Sequence, residues 1–591
     1  MNFIGINWDH PSGASIVKNG KVEAAVCEER FSRKKNDMEF PQNSLRYCMN
    51  FVDDKKQING VGVASREVSY SGMLYHYAML EVDEHVREQH EVWYPRLYEG
   101  KQIDDALVFR DKWFTRQYPE DYWANYDPSK RDTYAEDSIK IIGNFMDIDY
   151  SKIRRIEHHL CHAYYGYFAS PFRNEKAVII TIDGFGDGLN ATVSIAEKNM
   201  IRRIYETDKC ILGRIYRHIT LLLGMKPLEH EYKVMGLAPY AKRKYSQKAY
   251  EIFSDLIYLD GIEFCWRNKP KDSYFYFINK LEGLRFDNIA SGLQWWVEDV
   301  LCQWVKNIIK ETNINTIVIS GGVSMNIKAM GEIAKLSEVE RMFVPGSGSD
   351  DSNCIGAAIG AAAELNDGKI EGSTKVVSLY LGPDTNVDDV NEVVVDARLK
   401  KDYIVYDNPT YEMICDFLIK GFVIGRCQGR MEFGQRALGN RSIFADPLNI
   451  DIIPKINNMI KNRDFWMPFA PIIMDSYVEK YIVNPKNIDS PYMTIGFDTT
   501  EEGFKCMRAA CHTADKSVRP QILHIDDNPY VYGLLECFSI MTGRGALLNT
   551  SFNLHGHPIV NTAKEAYQVF EKTELEGLLL EDVLIVKKAA G

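Results

Sequence analysis

The sequence predicts an α/β protein of two or three domains, the first built from two similar halves. Three observations carry this. The chain of 591 residues is too long for one hydrophobic core. A strand, a polar turn and a second strand occur twice, in "FIGINWDHPSGASIV" and in "AVIITIDGFGDGLNATVSIAE". Two further apolar strands, in "TIVISGGVSMN" and "MFVPGSGSDDSN", run into Gly/Ser loops and then helical sequence.

In order, "FIGIN" and "ASIV" read as strands, "KNGK" as an Asn-Gly turn, and "VEAAVCEE" as the returning strand. The small and polar residues from Asp9 to Gly13 fall at the strand ends, where a phosphate or substrate can approach the backbone. A plain surface turn has the same composition. Residues from about Tyr70 to Thr133 are crowded with Tyr, Trp, Glu and Arg. They read as a helical insertion that either packs or shapes an acceptor pocket. "AVIITID" is a buried strand ending in Asp183 and a glycine-rich turn. Ser320-Gly321-Gly322 follows an apolar strand and is expected to open a helix whose N–H groups can cradle phosphate. The last Gly/Ser loop carries Asp350 and leads into a small-residue helix.

Composition excludes several classes. A net charge of −12 argues against non-specific binding to nucleic acid or an anionic membrane. No apolar run is long enough to span a bilayer, and "MNFIGINWDHPSG" lacks the form of a signal peptide. The 12 cysteines are scattered without a C-x-x-C pair, as expected of reduced thiols in a cytoplasmic protein.

His158 and His162, in "HHLCHA", lie four apart and share one helix face, while His159 and Cys161 fall off it. Two imidazoles at that spacing can hold one metal ion, or they are simply packed histidines. Asp183 and Asp350 are acidic partners at strand ends. Two His and two carboxylates suit Fe(II), Mn(II) or Zn(II).

The motifs "EERFSRKK", "HHLCHA", "IDGFGDG", "YKVMGLAPYA", "SGGVSMN", "GSDDSNCIGAA", "GRMEFGQRALGNRSIFADP", "MPFAPII", "RPQIL" and "NTSFNLHGHPIV" occur in order. They resemble the nodulation-type and antibiotic O-carbamoyltransferases over nearly the whole chain, the aromatic insertion apart. The resemblance implies an actin/Hsp70-like (ASKHA) duplicated domain over residues 1–370. A threonylcarbamoyl-AMP synthase-like α/β domain over 371–591 is implied to follow. It implies a cytoplasmic enzyme that turns carbamoyl phosphate and ATP into a carbamoyl-adenylate. The carbamoyl group then passes to a hydroxyl of a small-molecule acceptor, an antibiotic, toxin or sugar, in biosynthesis. Neither nucleic acid nor membrane is expected as a partner, and a homo-oligomer is compatible.

Residue by residue, the resemblance makes His158, His162, Asp183 and Asp350 metal ligands, usually for Fe(II). It places His10 near the acceptor, where a neutral imidazole can act as general base. Gly321, Gly322 and Asn326 match the nucleotide loop, with Lys233 and Gly236 beside it. Arg436, Lys461, Arg519, Ser551 and Asn553 match positions that hold carbamoyl phosphate. That chemistry also stands alone, since a dianion beside a planar amide calls for fixed cations and for Ser and Asn partners. Arg430, Arg441 and Arg463 are further cations nearby, with Glu432, Asp446 and Asp464 as candidate counter-ions.

Three departures stand out. Pro11 follows His10 where relatives often have an acid. Met467 stands where a phosphate-facing Arg is often found, and Asp351 adds an acid beside Asp350. Two other readings share the motifs, a tRNA-modifying threonylcarbamoylation enzyme and a non-catalytic ATP-binding protein. The absence of a basic stripe speaks against the first, and the C-terminal cation cluster against the second.

Overall fold

The structure, a computed structural model, describes residues 1–67, 73–114, 118–124, 126–366, 378–461 and 463–588. Tyr70, the expected start of the insertion, and the expected domain boundary at 370 lie outside them. The chain forms two compact units, residues 1–32 with 36–377, and residues 33–35 with 378–591.

The first unit holds two five-stranded sheets. One is built from β1 (Asn2–Asn7), β2 (Gly13–Lys18), β3 (Lys21–Cys27), β4 (Ile58–Ala64) and β5 (Ile153–Ile156), in the order β3-β2-β1-β4-β5. The other comprises β6 (Ala177–Gly186), β7 (Leu189–Glu197), β8 (Met200–Thr207), β9 (Thr316–Ser320) and β10 (Arg341–Phe343), in the order β10-β9-β6-β7-β8. Both have an antiparallel meander of three strands followed by two parallel additions. The first meander turns at Asn19 and Gly20, both at positive φ, as the Asn-Gly pair requires.

Parallel strands need long crossovers. The β4–β5 crossover contains the insertion, whose described residues form short helices, the first α-helix being α1 (Val82–Glu88). Its aromatic residues largely pack. Tyr75, Phe109 and Trp123 join Ile4, Ile6 and Trp8 in one core, and Trp8 meets Phe40 edge-on at 4.8 Å.

Small residues set the spacing of the central helices. These are α2 (His158–Ala169), α3 (Leu212–Leu222), α4 (Glu231–Leu237), α5 (Ile327–Lys335) and α6 (Asn353–Leu365). A Cβ on Gly5 would lie 1.8 Å from the Cys354 carbonyl oxygen, one on Gly62 1.9 Å from that of Ala357, and one on Gly356 2.0 Å from that of Cys161. Helix α6 thus seats directly on β1 and β4 and against α2. The start of α6 is thereby brought to the histidines.

One expectation is corrected. Gly321 and Gly322 do not open an α-helix. A 3₁₀ turn over Gly322–Met325 intervenes, and α5 begins after Asn326, whose side chain caps it by accepting from the Ala329 N–H at 3.1 Å.

The second unit is built on one eight-stranded mixed sheet. Its strands are β11 (Tyr403–Asp407), β12 (Ile424–Cys427), β13 (Arg441–Ala445), β14 (Ala470–Met474), β15 (Gln521–Leu523), β16 (Ala546–Ser551), β17 (Gly577–Leu580) and β18 (Val583–Lys587). The order is β11-β18-β17-β12-β13-β16-β14-β15. Separate apolar clusters form around Ile443 and Leu548 and around Phe444 and Leu547. Neighbouring residues of a strand point to opposite faces, so both faces are covered. Among the described residues no helix is long and apolar enough to cross a membrane.

Candidate functional site

In the first unit, four side chains from three elements converge. His158 and His162 lie on the first turns of α2, whose N-terminus is capped by Glu157 accepting from the N–H groups of His159 and Leu160. Asp183 lies near the end of β6, and Asp350 begins the turn that leads into α6. His158 Nε2 is 2.9 Å from Asp183 Oδ2 and 3.3 Å from Asp350 Oδ1. His162 Nε2 is 3.1 Å from Asp350 Oδ1 and 3.8 Å from Asp183 Oδ2. The two Nε2 atoms are 3.2 Å apart.

These distances fit one shared cation. Ligand atoms about 2.1 Å from a metal ion stand about 3 Å from one another along the short edges of its coordination shell. Burial opposes charge on His158, but Asp350 and Asp183 outweigh it and push its pKa up to about 10. His162 is raised against burial by the same carboxylates. Burial likewise disfavours the Asp183 anion, yet the two histidines hold it well below the usual carboxylate range. The cluster therefore favours positive charge, which a divalent ion would supply in place of protons. Two imidazoles and two carboxylates suit Fe(II), Mn(II) and Zn(II) alike. His158 Nδ1 is oriented by Ser65 Oγ at 3.2 Å, while His159 turns away to Thr181 Oγ1 at 2.8 Å.

Glycines make room for this centre. A Cβ on Gly186 would stand 2.2 Å from the His158 ring, and one on Gly322 2.5 Å from Asp183 Oδ1. Gly321 has φ +94°, and its N–H donates to the Gly348 carbonyl at 2.8 Å, so two Gly-rich loops are tied together. The Gly322 N–H donates to Asp183 Oδ1 at 3.1 Å. Asn326 exchanges amide hydrogen bonds with Gln294 while capping α5. Lys233 and Gly236 lie on α4, the lysine half-buried and the glycine buried.

His10 sits in the turn between β1 and β2. Asn7 Nδ2 donates to the carbonyls of Pro11 at 2.8 Å and Asp350 at 3.0 Å, which fastens that turn to Asp350. Burial keeps the His10 pKa below its ordinary value, and its Nε2 has no hydrogen-bond partner. Asp9 accepts from the His10 N–H at 2.8 Å and the Tyr77 hydroxyl at 2.9 Å. Asp351 does not add a full charge here. Burial pushes its pKa to about 7, and Ser347 donates to it.

In the second unit, Lys461, Ser551 and Asn553 come together. Lys461 Nζ donates to Asn553 Oδ1 at 2.7 Å, to Ser551 Oγ at 3.2 Å, to the Asn553 carbonyl at 3.1 Å and to the Ser551 carbonyl. All four are neutral oxygens. Burial, then the charges of Arg463 and Lys35, hold the Lys461 pKa well below the usual lysine range. Burial and two cations disfavour charge on this amine, and an anion placed beside it would favour the ammonium form. Arg436 is half-buried in the loop between β12 and β13, and Arg519 half-buried just before β15.

Two of the three candidate counter-ions, Asp446 and Glu432, are engaged otherwise. Asp446 pairs with Arg544. Arg441 donates instead to the carbonyls of Gln428, Gly429, Asn440 and Asn561, because it is buried where only backbone acceptors are in reach. Glu432 Oε1 accepts from the N–H groups of Leu438, Asn440 and Arg441. Residues 33–35 of "EERFSRKK" join this unit, with Arg33 donating to the Pro558 and Ile559 carbonyls. No spacing in the sequence signals that the Lys35 charge reaches Lys461.

The family models described as carbamoyltransferase N-terminus and carbamoyltransferase C-terminus match residues 2–362 and 415–587. The chain is 30% identical over 606 residues to an uncharacterized protein of Methanocaldococcus jannaschii, covering 99% of each. It is 28% identical over 597 residues to the nodulation protein NolNO of Sinorhizobium fredii, covering 98% of this chain and 80% of that protein. It is 28% identical over 264 residues to the 3'-hydroxymethylcephem-O-carbamoyltransferase of Amycolatopsis lactamdurans, covering 45% of this chain and 47% of that enzyme.

Proposed function

The chain belongs to the carbamoyltransferase family, and we propose that it moves the carbamoyl group of carbamoyl phosphate, through a carbamoyl-adenylate made with ATP, to a hydroxyl of a small-molecule acceptor. The O-carbamoyltransferase named among its relatives supports a hydroxyl as the acceptor. The observation that carries the reading is Lys461, a buried amine that faces only neutral oxygens among the described residues and that an anion would help to charge.

In this reading Lys461 holds the phosphate of carbamoyl phosphate, with Arg436 and Arg519 as further cations. Ser551 and Asn553 turn to the carbamoyl end. Water displaces phosphate and leaves carbamate, which enclosure protects from decomposition. A carbamate oxygen attacks the α-phosphorus of ATP, forming a P–O bond as pyrophosphate leaves. The nucleotide is held by the loop at Gly321, Gly322 and Asn326, with Lys233 and Gly236 alongside. An ion held by His158, His162, Asp183 and Asp350 would neutralise phosphate charge. The acceptor hydroxyl then attacks the carbamoyl carbon, His10 Nε2 takes its proton, and AMP departs. The shared strand order of the two sheets in the first unit supports an actin/Hsp70-like duplicated fold for this transfer domain. We assign the second unit the threonylcarbamoyl-AMP synthase-like role.

A thermal shift tests the binding step. Carbamoyl phosphate is expected to raise Tm in proportion to the logarithm of its concentration, whereas inorganic phosphate alone should do so far less. No shift with carbamoyl phosphate would count against the reading.

A further inference from the structure

A second polar locus lies between the insertion and the centre, along α3. One end of α3 touches the metal-ligand loop, since a Cβ on Gly213 would stand 2.9 Å from Gly184 Cα and 3.1 Å from the Asp183 carbonyl oxygen. Past its other end, Lys226 Nζ donates to the Met79 carbonyl and to Glu81 Oε1, both at 3.3 Å, where α1 begins. The 11 residues between span about 16 Å of helix.

Arg214 and Arg217 are three apart and share one face of α3. Arg214 lies 4.4 Å over the ring of Phe185, two residues beyond Asp183, and Phe185 is itself exposed. Arg217 has one ion-pair partner among the described residues, Glu88 of α1 at 4.0 Å. Glu88 is already engaged by the Trp93 indole N–H at 3.0 Å and by His85 at 3.5 Å. Neither guanidinium makes a hydrogen bond to a described residue. Around them stand three buried imidazole nitrogens without partners, His85 Nε2, His218 Nδ1 and His10 Nε2. His85 is only 1% exposed. The charge of Arg217 is felt at both His10 and Tyr77, whose rings are 6.3 Å apart.

Ten guanidinium N–H donors and, besides the proposed base His10, two imidazole nitrogens without protein partners are groups suited to recognising a polar ligand. Arg217 has only the 4.0 Å contact with Glu88 as an ion pair among the described residues, with Glu231 in electrostatic reach, while Arg214 feels Asp208 but forms no ion pair with a described residue.

We propose that this face of α3, with His85 of α1, is the acceptor subsite, and that the acceptor carries a carboxylate or phosphate near the hydroxyl that is carbamoylated. This rests on the transfer reading above. Arg217 binds the anion, Arg214 and Phe185 border it, and His85 and His218 bond neutral oxygens of the same molecule.

The test uses the full chain and ligand-observed NMR with two matched probe pairs, D-glucuronate against D-glucuronamide and glycerol 3-phosphate against glycerol. The anionic member of at least one pair should bind at least tenfold more tightly than its neutral match. That preference should fall at least tenfold in R217Q and be reduced in R214Q, each checked for folding by Tm. Equal binding within both pairs, or an anion preference that survives R217Q, would overturn the proposal. Pyrophosphate release without acceptor separates the sources of the anion. A loss in R217Q matching the loss of probe binding would assign the charge to nucleotide phosphate and overturn the acceptor assignment. Absence of release in the unmodified protein would instead sink the transfer reading, while the probe preference stands or falls by itself.

Discussion

His158 Nε2 and His162 Nε2 face each other at 3.2 Å, with Asp183 and Asp350 closing the other sides. Two imidazole nitrogens at that distance share one proton or one cation. H162A should therefore lower divalent metal affinity at least about 100-fold, a first ligand mattering no less than the outer partners that cost 10–100-fold. Metal content after dialysis against a graded chelator reads this directly.

Gly186 controls the same centre through space alone. A methyl group there would overlap the His158 ring, 2.2 Å away. G186A should keep the fold, lose metal affinity at least about tenfold, and be partly rescued by excess metal. Retention of full affinity would show that the ring has another place to go.

His10 is offered as the base for the acceptor hydroxyl. Its pKa is kept low chiefly by burial, so it is neutral and ready to accept a proton at neutral pH. H10N should slow transfer about 10²–10⁴-fold while pyrophosphate release without acceptor continues. Equal loss of both steps would remove the assigned role.

Lys461 should bind the anion and add little to the stability of the empty protein. K461M should abolish the Tm rise caused by carbamoyl phosphate. The empty variant should unfold no more than a few degrees below the unmodified protein, because the lost hydrogen bonds are offset by removal of a buried polar group that is costly to desolvate. A preserved ligand shift would place the anion elsewhere.

Much of this was legible before the fold. The His pair, Asp183 and Asp350 follow from helix spacing and from acids at strand ends, and the structure brings them within 4.8 Å of one another. The paired strand–turn–strand segments are readable because alternation and the Asn-Gly turn are local signals. What the sequence hides is long-range. Arg441 loses its expected acid because β13 is buried, and Asp446 goes to Arg544, 98 residues away. Asn326 was expected at a nucleotide and is also a helix cap, since one side chain serves both the Ala329 N–H and Gln294. The Lys35 charge at Lys461 is invisible to any spacing rule.

His524 makes a pH-dependent contribution to stability. His524 hydrogen-bonds Asp489 at 3.3 Å and Asp475 at 3.2 Å, which raise its pKa to about 9 chiefly through Asp489. The folded pKa exceeds the unfolded value near 6.5, so the stabilisation is complete below about pH 6.5 and is lost as pH rises through about 9. The ring is 45% exposed, which limits the effect to about 1 kcal/mol or less. H524N should lower Tm by about 1–3 °C at pH 6 and leave it unchanged at pH 10. An equal loss at both pH values would mean packing, not charge.

The most direct measurement of the central claim is pyrophosphate release from ATP in the presence of a divalent metal, with and without carbamoyl phosphate and with no acceptor. Release that requires carbamoyl phosphate, and that K461M abolishes, is the predicted result. Release independent of carbamoyl phosphate, or none even when carbamoyl phosphate is shown to bind, would contradict carbamoyl-adenylate chemistry in this chain.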